Sequence, residues 1–398
     1  MVLPSKFIIL KKMSLEKIEQ ILKAGILILA GSLIFSLFVA QLVAIVLLIL
    51  WLIKIVRFKK VNLHNNPFHY PLIAFIIARI ISVFLSTDIS QSIQILNKEI
   101  FFYSLFFIVV DVFPINDKEY VKKFFLVLIF AAIIASIYGT SKVLLGFAER
   151  ASSTTSGYGT LGMFLTIAAA VLLVLGSNKY FLPSKLLWAA FLVIVVTGIL
   201  FTFNRVHWAI IAFTIFVFGL LRERKIVLAI SIAAVVLIFA VPALRERFSQ
   251  LLYFSSNLSD RDIIWQGASK IYSEHPLFGF GPKTFTQIFP LFDSLNDKSV
   301  SGWHCDYLQI YMESGLMGLI PFLWMAVSVF YFSIKNLLIK NIDSFSKDLA
   351  LALLLAMAGF YLTAILGTFI SDPLSSLLYQ LLLGILAVNY RNIKFTKQ

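Results

Sequence analysis

The sequence predicts an all-α polytopic membrane protein of about 12 transmembrane helices, with one large outer, periplasmic loop containing short helices. Three observations predict it. Of 398 residues, 60% are hydrophobic and only 14% charged, with a mean hydropathy of +0.92, which leaves too little charge to cover a soluble surface. Apolar runs of roughly 20 residues, the length that crosses a bilayer as a helix, recur from end to end. Lysine and arginine gather in alternate connecting segments, as the positive-inside rule requires.

The expected spans centre near 22–37, 39–55, 68–86, 95–112, 123–145, 158–176, 186–203, 206–221, 226–241, 306–331, 349–370 and 373–390. The first two form a tight hairpin, and a short polar break separates the seventh from the eighth. The basic segments are Lys6 to Lys23, Lys54 to Lys60, Lys118 to Lys123, Lys179 with Lys185, Arg222 to Lys225, Lys335 to Lys347 and Arg391 to Lys397. They place both termini in the cytoplasm and residues 242–305 in the periplasm. No cleavable signal is evident, and the basic N-terminal segment precedes a retained first helix. A single membrane domain over 1–398, in the bacterial inner membrane, is expected.

The net charge of +14 is mostly this orientation signal, so nucleic acid is not an expected partner; the lipid bilayer is. Cys305 is the one cysteine, which excludes an intramolecular disulfide and a cysteine-rich metal site. The histidines (His64, His69, His207, His275, His304) lack metal-ligand spacing, so no metal and no cofactor are expected.

A few basic residues run against the orientation bias: Arg79, Lys98, Lys142, Arg150, Arg205, Arg245, Arg247, Arg261, Lys270, Lys283 and Lys298. Arg205 sits at the polar break between two spans. It reads either as an arginine snorkelling from a helix end or as a clamp for a phosphate, the natural bidentate partner of guanidinium. Arg261 opens a short amphipathic segment in which Trp265 shares its face. Ser259 or Asp260 caps that segment. It reads as an ordinary interfacial helix or as part of a site. The following His275-Pro276-Leu277-Phe278-Gly279-Phe280-Gly281 stops the helix and permits a tight turn with close backbone approach.

The loop ends at His304, directly before an apolar helix, which puts an ionisable side chain at a membrane–water boundary. Asp306, Gln309 and Glu313 then line one helical stripe. Glu313 is half a turn out of phase with His304, so it is expected to support a neighbouring helix or line a cavity rather than to pair with His304.

Taken together, these residues resemble the O-antigen ligase / O-antigen polymerase superfamily of bacterial envelope proteins. The resemblance rests on an arginine at the outer end of a mid-chain span, here Thr202 to Arg205. It rests also on Arg-x-x-x-Trp followed by His-Pro-x-x-Gly-x-Gly, here Arg261 to Gly281. The third pattern is His-Asn-x-x-Leu-Gln-x-x-x-Glu-x-Gly-x-x-Gly, here His304 to Gly318, and Cys305 stands where the family usually has Asn. The resemblance implies a fold similar to metal-independent lipid-sugar glycosyltransferases. It implies an undecaprenyl-diphosphate-linked glycan as donor and a hydroxyl of lipid A–core as acceptor. His304 would be the catalytic base, Arg205 and Arg261 would bind the diphosphate, and Arg150, Lys283, Asp306, Glu313 and Trp265 would support them. One large outer loop favours a ligase over a polymerase or a protein O-oligosaccharyltransferase. A twelve-helix secondary transporter is the reading from another class. It would place charge at mid-membrane, where only Arg79 and the Lys98–Glu99 pair are candidates.

Overall fold

The structure, a computed structural model, describes residues 14–63, 66–222, 224–252, 261–298, 300, 302–340 and 342–395. The side chains of 96–98, 100–101, 226–227, 250–252, 296–298 and 395 lie outside that description. So do His64, the Ser259/Asp260 cap, the side chains of Lys98 and Lys298, and the terminal residues Lys6, Lys11, Lys12 and Lys397.

Helices occupy all twelve expected apolar segments. They are α1 (Leu15–Ser32), α2 (Leu37–Phe58), α3 (His69–Phe84), α4 (Ile89–Val112), α5 (Lys118–Leu144), α6 (Tyr158–Leu175), α7 (Lys185–Phe201), α8 (Arg205–Leu221) and α9 (Arg224–Ala240). Four further helices lie in 242–305: α10 (Pro242–Leu252), α11 (Arg261–Ile271), α12 (Phe285–Ile288) and a 3-10 turn at Phe292–Lys298. The chain then runs through α13 (Asp306–Leu337), α14 (Ser344–Leu366) and α15 (Pro373–Phe395). No strand occurs among the described residues.

By length and composition, six of these helices suffice to cross a membrane: α2, α5, α6, α13, α14 and α15. A seventh is added if α9 and α10, bent by 99° at Val241, form one broken span. This is fewer than the sequence suggested. Helices α3, α7 and α8 have only 16 or 17 residues, about 25 Å of helix against a ~30 Å hydrocarbon core. Among the described side chains of α4, the apolar stretch is Phe102–Val112. The chain is thus a multi-pass helical membrane protein.

The core sits between α6 and α14, which pack along each other, with α15 against α4 and α13 against both α3 and α14. Helices α1 and α2 form the expected hairpin. The outer segment has its own small core: Phe285, Phe289 and Trp303 cluster with Ile264, Ala268 and Met312 of α13. Phe285 meets Trp303 edge-on at 4.8 Å.

One expected span is not a continuous helix. Gly315, inside α13, has φ 58° and ψ −158°, a conformation essentially confined to glycine. A broken helix leaves carbonyls on one side and N–H groups on the other without partners, and each is expensive inside a bilayer. The 276–281 turn supplies them. Phe280 and Gly281 donate to the carbonyls of Met312 and Glu313 (2.8 and 3.1 Å), while Leu316 and Met317 donate to Pro276 and Leu277 (2.9 and 3.1 Å). Ser82 of α3 donates to the carbonyls of Phe278 and Glu313. The approach is too close for side chains: a Cβ on Gly315 would lie 2.3 Å from the Leu277 carbonyl carbon, and one on Gly279 would lie 2.4 Å from that of Glu313.

A buried ionic group secures the same place. Arg79 of α3 reaches Glu313 at 2.9 Å and Glu99 of α4 at 2.6 Å, and also donates to Ser314 at 2.9 Å. Tyr103 donates to Glu99 at 2.8 Å, and Gln309 to Glu313 at 3.0 Å. Glu99 therefore pairs with Arg79 of the neighbouring helix α3. Charges at this depth persist only when paired and hydrogen-bonded.

Two outcomes follow for stability. Gly315→Ala should lower the melting temperature in detergent, from strain of about 1–3 kcal/mol plus the clash with Leu277; an unchanged melting curve would discard the docked-break description. Arg79→Met strands two carboxylates and should cost about 3–5 kcal/mol, read by the same melt, and more than Lys335→Met on the exposed face.

Candidate functional site

Four arginines from four separate segments converge at one end of the bundle. Arg150 comes from the α5–α6 connection, which is fastened to the end of α7 where Ala151 donates to Phe201 at 2.8 Å. Its guanidinium lies 4.4 Å from the centre of the Tyr158 ring, at the start of α6. Arg205 is the first residue of α8. Phe203, with φ 52°, turns the chain between α7 and α8, and the Asn204 side chain caps the new helix by accepting from Val206 at 3.1 Å. That placement adds the positive end of a helix dipole to the guanidinium, a natural setting for an anion.

Arg247 of α10 donates to the Phe203 carbonyl at 3.4 Å and lies within electrostatic range of both Arg205 and Arg150. Arg261 opens α11 and donates to the carbonyl of Leu366 at the end of α14. Burial pulls its guanidinium below its usual value, and Arg205 adds to this, opposed by Tyr158 and Cys305. Arg205 and Arg261 thus lie within electrostatic range of each other.

His304 is held beside this cluster from both sides. Before it, Trp303 is 1% exposed in the core of the outer segment. After it, Cys305 is the N-cap of α13, without a side-chain capping bond. Asp306 is fully buried. It accepts from the Phe369 N–H at 2.8 Å and from the Thr368 hydroxyl, while its own N–H donates to Gly367 at 3.2 Å. The turn at 366–369 thus holds both Arg261 and the residues after His304, and Cys305 falls within electrostatic range of Arg261. His304 itself is half-buried and has φ 50°. Among the described residues four non-glycines have positive φ, and three of them are Phe203, Lys283 and His304. Strained backbone of this kind concentrates at functional sites.

The remaining expected residues separate into two groups. Glu313 does not face His304; it belongs to the Arg79 group and accepts from the backbone N–H of Lys283 at 3.2 Å. The Lys283 side chain is exposed. Trp265 is 41% exposed on the outward face of α11. His207 is a packing histidine: its ring fills the space where a Cβ on Gly162 would stand, 2.5 Å away. His275 packs against the Phe280 ring at 4.6 Å. No group of three metal-ligating side chains occurs among the described residues.

Beside the arginines, α7, α8, α9 and α10 enclose an apolar cavity of about 470 Å³ lined by Leu200, Trp208, Ile211, Ile215, Ile238 and Phe248, among others. Phe248 neighbours Arg247, and Trp208 is less than one turn from Arg205. Arg247 and Tyr158 are members of the cluster that sequence reasoning did not assign to it. Arg247 carried a signal as a basic residue against the orientation bias; Tyr158 carried none.

No curated protein matches the chain. Residues 190–323, which contain Arg205, Arg247, Arg261, His304 and Glu313, match the family model described as O-antigen ligase. All three sequence motifs lie inside that stretch, and the match supports the O-antigen ligase/polymerase superfamily for this chain.

Proposed function

We propose that the protein is a glycosyltransferase that moves an undecaprenyl-diphosphate-linked glycan, an O-antigen, onto a hydroxyl of lipid A–core at the periplasmic face. The observation that carries this reading is the convergence of Arg150, Arg205, Arg247 and Arg261 next to Cys305 and His304, with an apolar cavity whose lining includes Trp208 and Phe248, close in the chain to Arg205 and Arg247. A diphosphate joined to a polyprenyl chain needs that combination: fixed positive charge for the head and an apolar groove for the chain.

In the proposed reaction the acceptor hydroxyl oxygen attacks the anomeric carbon of the donor sugar. The bond from that carbon to the diphosphate oxygen breaks, and the hydroxyl proton passes to His304. Histidine, with an ordinary pKa near ~6.5, accepts a proton at neutral pH. Arg205 and Arg261 stabilise the charge that develops on the leaving diphosphate, assisted by Arg150 and Arg247, in a partly dry site where fixed charges act strongly. Direct displacement inverts the anomeric centre. The arginines supply the positive charge that a metal ion supplies elsewhere.

The distribution of basic residues supports cytoplasmic termini and an outer-facing site. The embedded charges Arg79, Glu99 and Glu313 are bonded to one another and to the 276–281 turn. That favours a fixed structural role over the movable carriers a transporter requires. A polysaccharide polymerase or protein O-oligosaccharyltransferase would use the same donor site with another acceptor.

The test is transfer of an undecaprenyl-diphosphate glycan to lipid A–core by the purified protein, with and without EDTA. His304→Ala should reduce turnover by about 10²–10⁴-fold with donor binding retained, and EDTA should have no effect. Full transfer by a well-folded His304→Ala protein would remove the histidine from the reaction. Arg205→Ala and Arg261→Ala should weaken donor binding, and unaltered donor affinity in both would refute the clamp.

A further inference from the structure

At the other end of the bundle lies a second, polar cavity of about 660 Å³. Helix α2 starts beside Thr155, which accepts from the Leu37 N–H at 3.1 Å. Lys54 lies 17 residues further along the same helix, roughly 25 Å away. The cavity is therefore separate from the arginine cluster. Its lining carries Lys23, Lys54, Lys59, Lys60 and Arg391 against Glu19, Asp111 and Asp117.

The carboxylates are engaged in building the cavity. Lys54, 3% exposed, binds Asp111 at 2.9 Å and Glu19 at 3.0 Å. Asp111 also accepts from the Trp51 indole at 2.8 Å and from the Asn62 backbone at 2.7 Å. Asp117 caps α5 by accepting from Tyr120 at 3.0 Å. One cation is thus committed to two carboxylates at the floor, and four others line the cavity.

Local geometry brings them there. Lys59 ends α2 in the left-handed region, φ 50°, and the chain turns so that Lys59, Lys60 and Asn62 border the cavity, with Asn62 pinned to Asp111. Lys23 of α1 and Arg391 of α15 are half-buried. Orientation bias explains why basic residues are numerous at this end. It does not explain their convergence from separate helices around one walled cavity with a buried lysine in its floor. Basic pockets between membrane helices are the setting in which anionic head groups bind.

We infer that this cavity binds a phosphate group, carried by an anionic phospholipid head or as free phosphate. The lysines and Arg391 donate to the phosphate oxygens.

The full-length protein, purified in a neutral detergent, would be titrated with phosphatidylglycerol, phosphatidylcholine and inorganic phosphate. Melting temperature and lipid adducts in native mass spectrometry report binding. Phosphatidylglycerol should raise the melting temperature and phosphatidylcholine should not. A rise with inorganic phosphate assigns the site to the bare anion, and a rise with phosphatidylglycerol alone assigns it to a lipid head; both support the inference. The triple variant Lys59→Gln/Lys60→Gln/Arg391→Gln should weaken that binding about 100-fold, at roughly a factor of five per cation removed. Lys335→Gln/Lys340→Gln, which removes exposed charge elsewhere, should leave it nearly unchanged. Equal effects of the two phospholipids, no response to either phosphate source, or equal loss in the control variant would each overturn the inference. If the triple variant does not fold, the single variants Lys59→Gln and Lys60→Gln decide it: each should weaken the binding about five-fold, and unchanged binding in both overturns the inference.

Discussion

A transmembrane helix cannot simply stop and restart inside a bilayer, because the backbone groups released at the break have no water to turn to. This constraint governs the arrangement around Gly315. The 276–281 turn lies against the break and exchanges four backbone hydrogen bonds with it, while Arg79 ties the same place to α3 and α4. The outer segment is thereby fixed to the membrane bundle through its main chain, and what it carries is fixed with it. Arg261 lies upstream of this attachment and His304 downstream. Arg261, and Asp306 two residues after His304, are bound again to the 366–369 turn. The candidate site is thus a product of two anchorages, one at the helix break and one at the end of α14.

Much of this was legible in the sequence and some was not, for physical reasons. Apolar runs located all twelve bundle helices, because lipid-facing and core-facing positions alike demand apolar side chains. Their lengths were less legible. The sequence marks the polar residues that end a helix but not whether 16 residues such as those of α3 are accompanied by other elements at the same depth. The His-Pro-x-x-Gly-x-Gly stretch was read correctly as a turn with close backbone approach. The surface it approaches was invisible, because Glu-Ser-Gly-Leu at 313–316 reads as ordinary helix. Helical phase separated Glu313 from His304, but its partner Arg79 lies 234 residues away in the chain, and only folding brings them together. The same holds for the arginines: Arg205 and Arg261 stood out by position, whereas Arg247 and Tyr158 joined them only in three dimensions.

The two cavities divide the molecule's charges by purpose. At one end, guanidinium groups repel one another beside an apolar groove. At the other, a lysine neutralises carboxylates at the floor of a polar chamber. Between them lies the tightly packed pairing of α6 with α14, whose buried faces hold few polar atoms. Ionisable groups collect mainly where helices end, and the Arg79–Glu99–Glu313 group within the helices is held by mutual pairing.

The docking of 276–281 against Gly315 also reverses an ordinary expectation about loops. Connections outside a bundle usually accept insertions, deletions and cuts more readily than the helices they join. Here a stretch of loop completes a helix that begins some 25 residues later, and a change of one residue in its length would displace donors and acceptors from all four bonds at once. Tolerance to length change therefore falls on either side of the turn.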